Sequence, residues 1–196
     1  MSNNFIQIHN LLKDNFGDFL NSEDIQEIVK IGSFKFFPKG AIIFDGLAEP
    51  EWIGLVISGS ARGFYTEEDR EVTGELYVAG DFIADYYGFL KRKATGVSIQ
   101  TFTDLEVFVW NRKAYDQLKS TNINTAKIAC YFSDFAFLKV YEMAVSFLKM
   151  SPAERYNYLC QTRPKTIKEI PEKYIAQYIG IKAESLSRIK KRQNLT

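Results

Sequence analysis

Histidine and cysteine are scarce in this chain, a long apolar run is missing, and each shortage removes a class of function. His9 is the only histidine among 196 residues, so a barrel-type metal centre built from several imidazole and carboxylate ligands cannot be assembled. Cys130 and Cys160 are the only cysteines. Two thiols are too few for a disulfide framework, and too few for an iron–sulfur cluster, which needs about four. Both cysteines and His9 therefore read as ordinary structural or surface residues. No run of about eighteen apolar residues occurs, and Met1 to Asn10 lacks the basic start and apolar core of a secretory signal. The expectation is a cytoplasmic protein with no membrane partner. No nucleophile–base–acid arrangement and no phosphate-binding glycine loop can be picked out, so neither enzymatic activity nor a cofactor is expected.

What the chain does have is apolar and aromatic mass. Hydrophobic residues make up 46% and aromatic residues 15%, with sixteen Phe and eleven Tyr, which is the composition of a globular protein with a sizeable core. The net charge of +1 hides a division along the chain. Leu148 to Thr196 carries eleven Lys and Arg against four Glu, hence +7, and Met1 to Phe147 carries fourteen basic against twenty acidic residues, hence −6. A small basic unit behind a larger acidic one points its C-terminal end toward a polyanion; the alternative is a solvated basic tail.

From Phe34 to Trp110 short runs rich in Val, Ile, Phe and Tyr alternate with turn residues: 34–37, 41–44, 52–58, 61–66, 72–78, 97–102 and 105–110. Pro38-Lys39-Gly40, Asp45-Gly46, Gly59-Ser60, Glu67 to Arg70 and Gly80-Asp81 separate them, a spacing that predicts an antiparallel β-roll. Ahead of it, Ser22 with Glu23 and Asp24 reads as a helix start.

The period then changes. Asn124 to Lys149 contains neither Pro nor Gly and carries two apolar stripes. Ile128, Tyr131, Phe135, Leu138 and Val145, with Glu142 in the gap, form one, and Phe132, Ala136, Val140, Met143 and Phe147 the other. Two apolar faces need two partners: the roll can cover one, and the first stripe is assigned to the same helix of a second copy. The alternative is a helix wholly buried in a monomer. Ser151-Pro152-Ala153-Glu154 restarts the chain as N-cap, first helical position and capping glutamate, and Arg163-Pro164 should end that helix after about Gln161.

Between Pro171 and Arg192 the pattern is that of a helix-turn-helix. Pro171 and Glu172 open a helix, Ile175, Ala176 and Ile179 supply its inner face, Gly180 makes the turn, and Ile181, Leu186 and Ile189 continue the apolar pattern on the next helix. Ala176 is small where the helices cross, and Gly180 falls where a left-handed backbone is needed. Lys182, Glu184, Ser185, Arg188 and Lys191 then face outward: Arg188 can grip a guanine edge with two hydrogen bonds, Glu184 can accept from a cytosine amino group or hold Arg188 in place, and Ser185 suits phosphate or base. Ser187 can serve phosphate or base, and Lys190, Lys191 and Arg192 are placed for phosphates. A plain helical hairpin with a solvated charged face is the alternative.

With these parts in hand, the chain resembles the cyclic-AMP receptor protein and FNR (Crp/Fnr) family over nearly its whole length. FFPKGAIIFDGLAEPEWIGLVISG, Phe36 to Gly59, resembles the opening strands of that family's roll, and Tyr178 to Ile189 resembles its recognition-helix signature, with Glu184 and Arg188 at the base-reading positions and Ala183 where Arg is common. The resemblance implies an α+β chain: an N-terminal antiparallel roll of the cyclic-nucleotide-binding, jelly-roll type with preceding helices (1–123), a dimerisation helix (124–149) and a helix-turn-helix DNA-binding domain (150–196). The expected partners are double-stranded DNA, a second copy of the chain, RNA polymerase and a small-molecule effector of unidentified chemistry. The rival reading is a cyclic-nucleotide-type module that controls a protein partner.

Two departures qualify the resemblance. The sequence stops at Thr196, soon after the recognition helix, so the family's wing is expected to be short or missing. In the sensor, the positions that hold the cyclic nucleotide are occupied by Ala84, Asp85, Thr95 and Gly96. A buried cyclic phosphate needs a cation and several N–H donors, and Thr95 supplies no charge. Cyclic AMP is therefore not the expected effector, although Asp85 could still hold a ribose-like hydroxyl. The pocket is expected to take an uncharged or aromatic ligand against Tyr86 and Tyr87, or none, with Lys91, Arg92 and Lys93 forming a solvated turn.

Overall fold

The computed structural model describes residues 3–16, 20–68 and 70–192. Among these, helices α1 (Asn3–Phe16) and α2 (Ser22–Lys30) precede eight strands: β1 (Ser33–Phe37), β2 (Ile42–Asp45), β3 (Trp52–Ser58), β4 (Ser60–Glu67), β5 (Arg70–Val78), β6 (Phe82–Ile83), β7 (Ser98–Thr101) and β8 (Leu105–Asn111). A short helix α3 (Tyr86–Lys91) lies between β6 and β7, and α4 (Arg112–Thr121) and α5 (Ile123–Lys149) follow β8. The strands form two four-stranded antiparallel sheets ordered β1-β8-β3-β6 and β2-β7-β4-β5. Asp69, and Gln193 to Thr196 with the expectation about the wing, lie outside the described residues.

Alternation along β3 explains how the roll is enclosed. Trp52 and Val56 pack with Ile99, Leu105 and Val107 between the sheets, while Ile53, Leu55 and Ile57 pack outward with Phe108 and Trp110 against the helices. A strand buried on both faces reads as a continuous apolar run, as β3 does. On the helical side the Trp110 indole donates to the Ile28 carbonyl at 3.1 Å, fixing α2 to β8. The cap of α2 is Asn21 rather than Ser22: Asn21 Oδ1 accepts from the Asp24 N–H at 2.8 Å and Asp24 Oδ2 accepts in return at 3.2 Å. An amide one residue earlier does the work expected of the hydroxyl, because Asp24 sits three residues beyond it and closes the reciprocal pair.

Helix α5 starts on a second reciprocal cap, Asn122 with Thr125, and spans 27 residues. Its first half lies on the roll. Ile128, Ala129 and Phe132 are buried there, and Tyr131 and Phe135 pack with them against Phe82. This corrects the assignment of the first stripe to a second copy: Ile128 is fully enclosed by the chain's own core, and Tyr131 and Phe135 face the same way. The face left open carries Phe137, Leu138, Val140, Tyr141 and Leu148, with the Phe137 and Tyr141 rings stacked 6.1 Å apart. Of the earlier set, Leu138 and Glu142 are exposed and Val145 is half-buried.

Candidate nucleic-acid interface and ligand cavity

Four helices complete the chain: α6 (Pro152–Thr162), α7 (Pro164–Glu169), α8 (Glu172–Tyr178) and α9 (Ala183–Arg192). Ser151 caps α6, and Glu154 accepts the Ser151 N–H at 2.7 Å. The Ser151 hydroxyl and N–H hold the Glu154 carboxyl below the usual range. Pro164 ends α6 and also opens α7 at its first position, where the missing N–H costs nothing. Ile175, Ala176, Ile179 and Leu186 form the buried seam of the last two helices, with Ile181 and Ile189 partly buried beside it. Gly180 has φ +76°, and its neighbour Ile181 returns an N–H to the Ala176 carbonyl at 2.9 Å. A Cβ at Gly180 would lie 2.6 Å from the Phe147 ring, so the turn is pressed against the end of α5. Arg155 holds the same joint: Nε donates to Ile179 O at 3.0 Å, Nη1 donates to Met150 O at 2.7 Å, and the guanidinium stacks 4.5 Å from the centre of the Phe147 ring.

Lys182, just before α9, and Glu184, Ser187, Arg188, Lys191 and Arg192 on its outer face are exposed. Ser185 and Lys190 are half-buried, and Lys190 is ion-paired to Glu172 of α8. Lys190 therefore ties the two helices together.

The opposite side of this unit sits on the roll. Leu76 and Val78 of β5 share a core with Tyr156, Leu159 and Ile175. Arg62 of β4 is buried, paired with Glu71, and its guanidinium lies 4.2 Å from the centres of both the Phe64 and Tyr174 rings. The Thr73 hydroxyl donates to Gln177 Oε1 at 2.6 Å, and Arg163 Nη2 donates to Leu76 O at 2.8 Å and Asp81 Oδ2 at 2.6 Å.

Between the roll and α5 lies a cavity of about 430 Å³, lined mainly by aromatic and aliphatic side chains that include Tyr65, Tyr77, Phe82, Tyr86, Phe135 and Met143. Burial pushes the Tyr77 hydroxyl well above its ordinary value, with Glu75, Asp81 and Asp85 adding to the effect, and it raises Tyr65 as well. Both phenols therefore stay neutral. The charged groups on the wall are Glu75, Asp85 and Lys139, and Lys139 Nζ lies 2.8 Å from Glu75 Oε1.

No family model and no curated protein matches the sequence. Solved structures do. FixK2 of Bradyrhizobium japonicum superposes with a TM-score of 0.70 at 16% identity, over 84% of this chain and 85% of that one. The c-di-GMP-responsive global regulator CLP of Xanthomonas campestris gives 0.66 at 17% identity, over 89% and 92%. A protein assigned to the Crp/Fnr family of transcriptional regulators, from Eubacterium rectale, gives 0.61 at 17% identity, over 93% and 88%. The chain has the Crp/Fnr fold.

Within that Crp/Fnr fold the expected pocket residues divide. Ala84, Asp85, Tyr86 and Tyr87 do line the cavity, while Thr95 and Gly96 are not on its wall. The Thr95 hydroxyl donates to Asp85 Oδ2, and the Gly88 N–H donates to Asp85 Oδ1 at 3.0 Å, so Asp85 caps α3 and braces the loop. Gly96 closes the loop onto Gly46, whose carbonyl accepts its N–H at 3.0 Å. Tyr86 bonds to Tyr115 at 3.0 Å and Ser133 at 2.8 Å, and Tyr87 is exposed with Lys93 5.3 Å over its ring. Sequence reasoning missed Glu75 and Lys139 on the wall, and Arg62 and Arg163 behind it. For Lys139 a signal existed, since it is a lone cation set three residues after Ala136 and four before Met143 on the second apolar stripe.

Proposed function

We propose that the chain is a sequence-specific DNA-binding transcription regulator that acts as a homodimer and carries an effector-sensing roll. One observation carries the DNA reading: α9 stands on the buried Leu186 with Glu184 and Arg188 exposed at the start and middle of its outer face, and Lys191 and Arg192 exposed at its end. A helix held in that way can enter the major groove, with the first two side chains at base edges and the last two at phosphates. The +7 charge from Leu148 onward supplies the non-specific attraction.

The dimer reading rests on the open face of α5. Phe137, Tyr141, Ala144 and Leu148 repeat in steps of four, three and four, the spacing of a two-stranded helical seam, and Leu138 flanks them. A second copy related by a two-fold axis covers this face and brings two recognition helices to one duplex. Asp85 is committed to Thr95 and Gly88, and the loop after α3 offers no cation to the cavity, which supports an effector other than a cyclic nucleotide.

Selection from random duplexes followed by fluorescence anisotropy tests the reading. It should enrich one motif with two-fold symmetry whose half-sites lie about one helical turn apart. Uniform affinity for all duplexes, or none, would refute it and favour a helix-turn-helix that docks on a protein.

A further inference from the structure

The inference concerns the ligand of the 430 Å³ cavity, and it rests on the reading of the roll as an effector-sensing module. A volume of that size suits a small drug-sized molecule. Among the described residues three charged groups reach the wall, and both carboxylates are engaged. Asp85 accepts one hydrogen bond on each oxygen, from Gly88 N–H and from the Thr95 hydroxyl. Glu75 Oε1 accepts the Leu76 N–H at 2.8 Å and lies 3.8 Å from Arg163 Nη1 as well as 2.8 Å from Lys139.

Lys139 differs from both. Its side chain is 16% exposed and its ammonium lies 5.4 Å from the centres of the Tyr77 and Phe135 rings. Among the described residues its one close acceptor is Glu75 Oε1 at 2.8 Å, so at least two of its three N–H donors have no protein acceptor. A ligand acceptor placed at the wall can take one of those remaining donors in a sheltered site, where a hydrogen bond to a charged group is stronger than in water. The carboxylates on the wall favour an uncharged acceptor. Glu75 and Asp85 both face the cavity and the Lys139 charge is shared with Glu75, so a ligand carrying its own negative charge is opposed by two carboxylates at close range.

We propose that the cavity binds an uncharged, largely aromatic ligand bearing one carbonyl-type acceptor, which receives a hydrogen bond from the Lys139 ammonium. Binding at Lys139 competes with its pairing to Glu75. Glu75 is also paired to Arg163, whose other nitrogen reaches Asp81, so occupancy is felt at the seat of the helix-turn-helix unit.

The test uses a neutral fluorescent ketone, 6-propionyl-2-(dimethylamino)naphthalene, as reporter, displaced by three naphthalenes of one shape: 2-acetonaphthone, 2-ethylnaphthalene and 2-naphthoate. The full chain should bind the reporter with Kd at or below roughly 10 μM. The ketone should displace it about ten-fold better than the hydrocarbon, with the carboxylate weakest, and Lys139→Met should erase the ketone's advantage while Lys139→Gln keeps part of it. Ala136→Trp should fill the cavity and abolish reporter binding with an unchanged circular dichroism spectrum. No reporter binding by the wild type, binding that survives Ala136→Trp, a ketone advantage that survives Lys139→Met, or a carboxylate that wins would each overturn the proposal. If Ala136→Trp does not fold, the Lys139 pair still decides it. No DNA enters the assay, so loss of duplex binding refutes the regulator reading alone, and failure of the ketone refutes this inference alone.

Discussion

Arg188 and Gly180 show how single residues divide the labour of the C-terminal unit. Arg188 is exposed, so Arg188→Ala should leave the melting temperature unchanged and cost roughly 1 to 3 kcal/mol in operator binding, with relaxed preference at one base pair. Lys191→Ala should weaken operator and random duplex alike, and anisotropy on both substrates separates the two effects. Gly180 behaves in the reverse way. Its φ of +76° favours glycine, and a Cβ there meets the Phe147 ring at 2.6 Å. Gly180→Ala should therefore cost roughly 1 to 3 kcal/mol of stability, and pairing it with Phe147→Ala should recover the part due to the clash while leaving the backbone part. Chemical denaturation of the two singles and the double measures the split. The turn glycine could be read from sequence because backbone conformation is a local property. The role of Asp85 could not: whether a carboxylate binds a ligand or caps a helix depends on Thr95, ten residues away in sequence but within hydrogen-bond reach in the fold.

At the scale of one element, α5 makes the same point about faces. Its length, its caps and the presence of two apolar stripes follow from periodicity, which reports that a face is apolar but not what covers it. The stripe through Ile128 and Phe135 goes to the roll because Phe82, on a strand only two residues long, places its ring against Tyr131, Phe132 and Phe135. So short a strand leaves no periodic signal, and with β6 unseen the roll's claim on that stripe was not visible. The two faces give opposite expectations. Tyr141→Asp should leave the monomer folded and abolish the dimer, since each large side chain at a seam contributes about 1.5 to 3 kcal/mol. Phe135→Asp should instead bury a charge against the roll core and lower the melting temperature before it affects assembly. Sedimentation at micromolar concentration, read beside thermal melts, distinguishes them, and a dimer that survives Tyr141→Asp would show that the open face of α5 is not the seam.

Across the whole molecule, the hairpin of β4 and β5 is a wall shared by the two functional units. Strand alternation, shifted by one residue at the bulge opposite Gly63 and Phe64, turns Gly63, Tyr65, Glu75 and Tyr77 to the ligand cavity and Arg62, Thr73, Leu76 and Val78 to the helices beyond it. The order of the parts along the chain was legible in composition, since the strand runs, the long helix and the basic end follow one another. Their mutual seating was not, because residues such as Thr73 and Gln177 lie 104 positions apart and carry no pattern that links them. A shared wall has a thermodynamic consequence. Units that bury a common core should melt as one, and cutting the polar and aromatic ties across it should let them melt separately. Tyr174→Ala removes the ring stacked on Arg62 and 4.7 Å from the centre of Phe102, and Arg163→Ala removes the links to Asp81, Glu75 and the Leu76 carbonyl. Arg62 keeps Glu71 and Gln100, so the roll itself should stay intact. The wild type should therefore show one calorimetric transition and the double variant two, the lower belonging to the helices after Met150. A double variant that still melts in one step would place the coupling in Leu76 and Val78 alone, and would remove Arg163 from the route by which the cavity reaches the recognition helix.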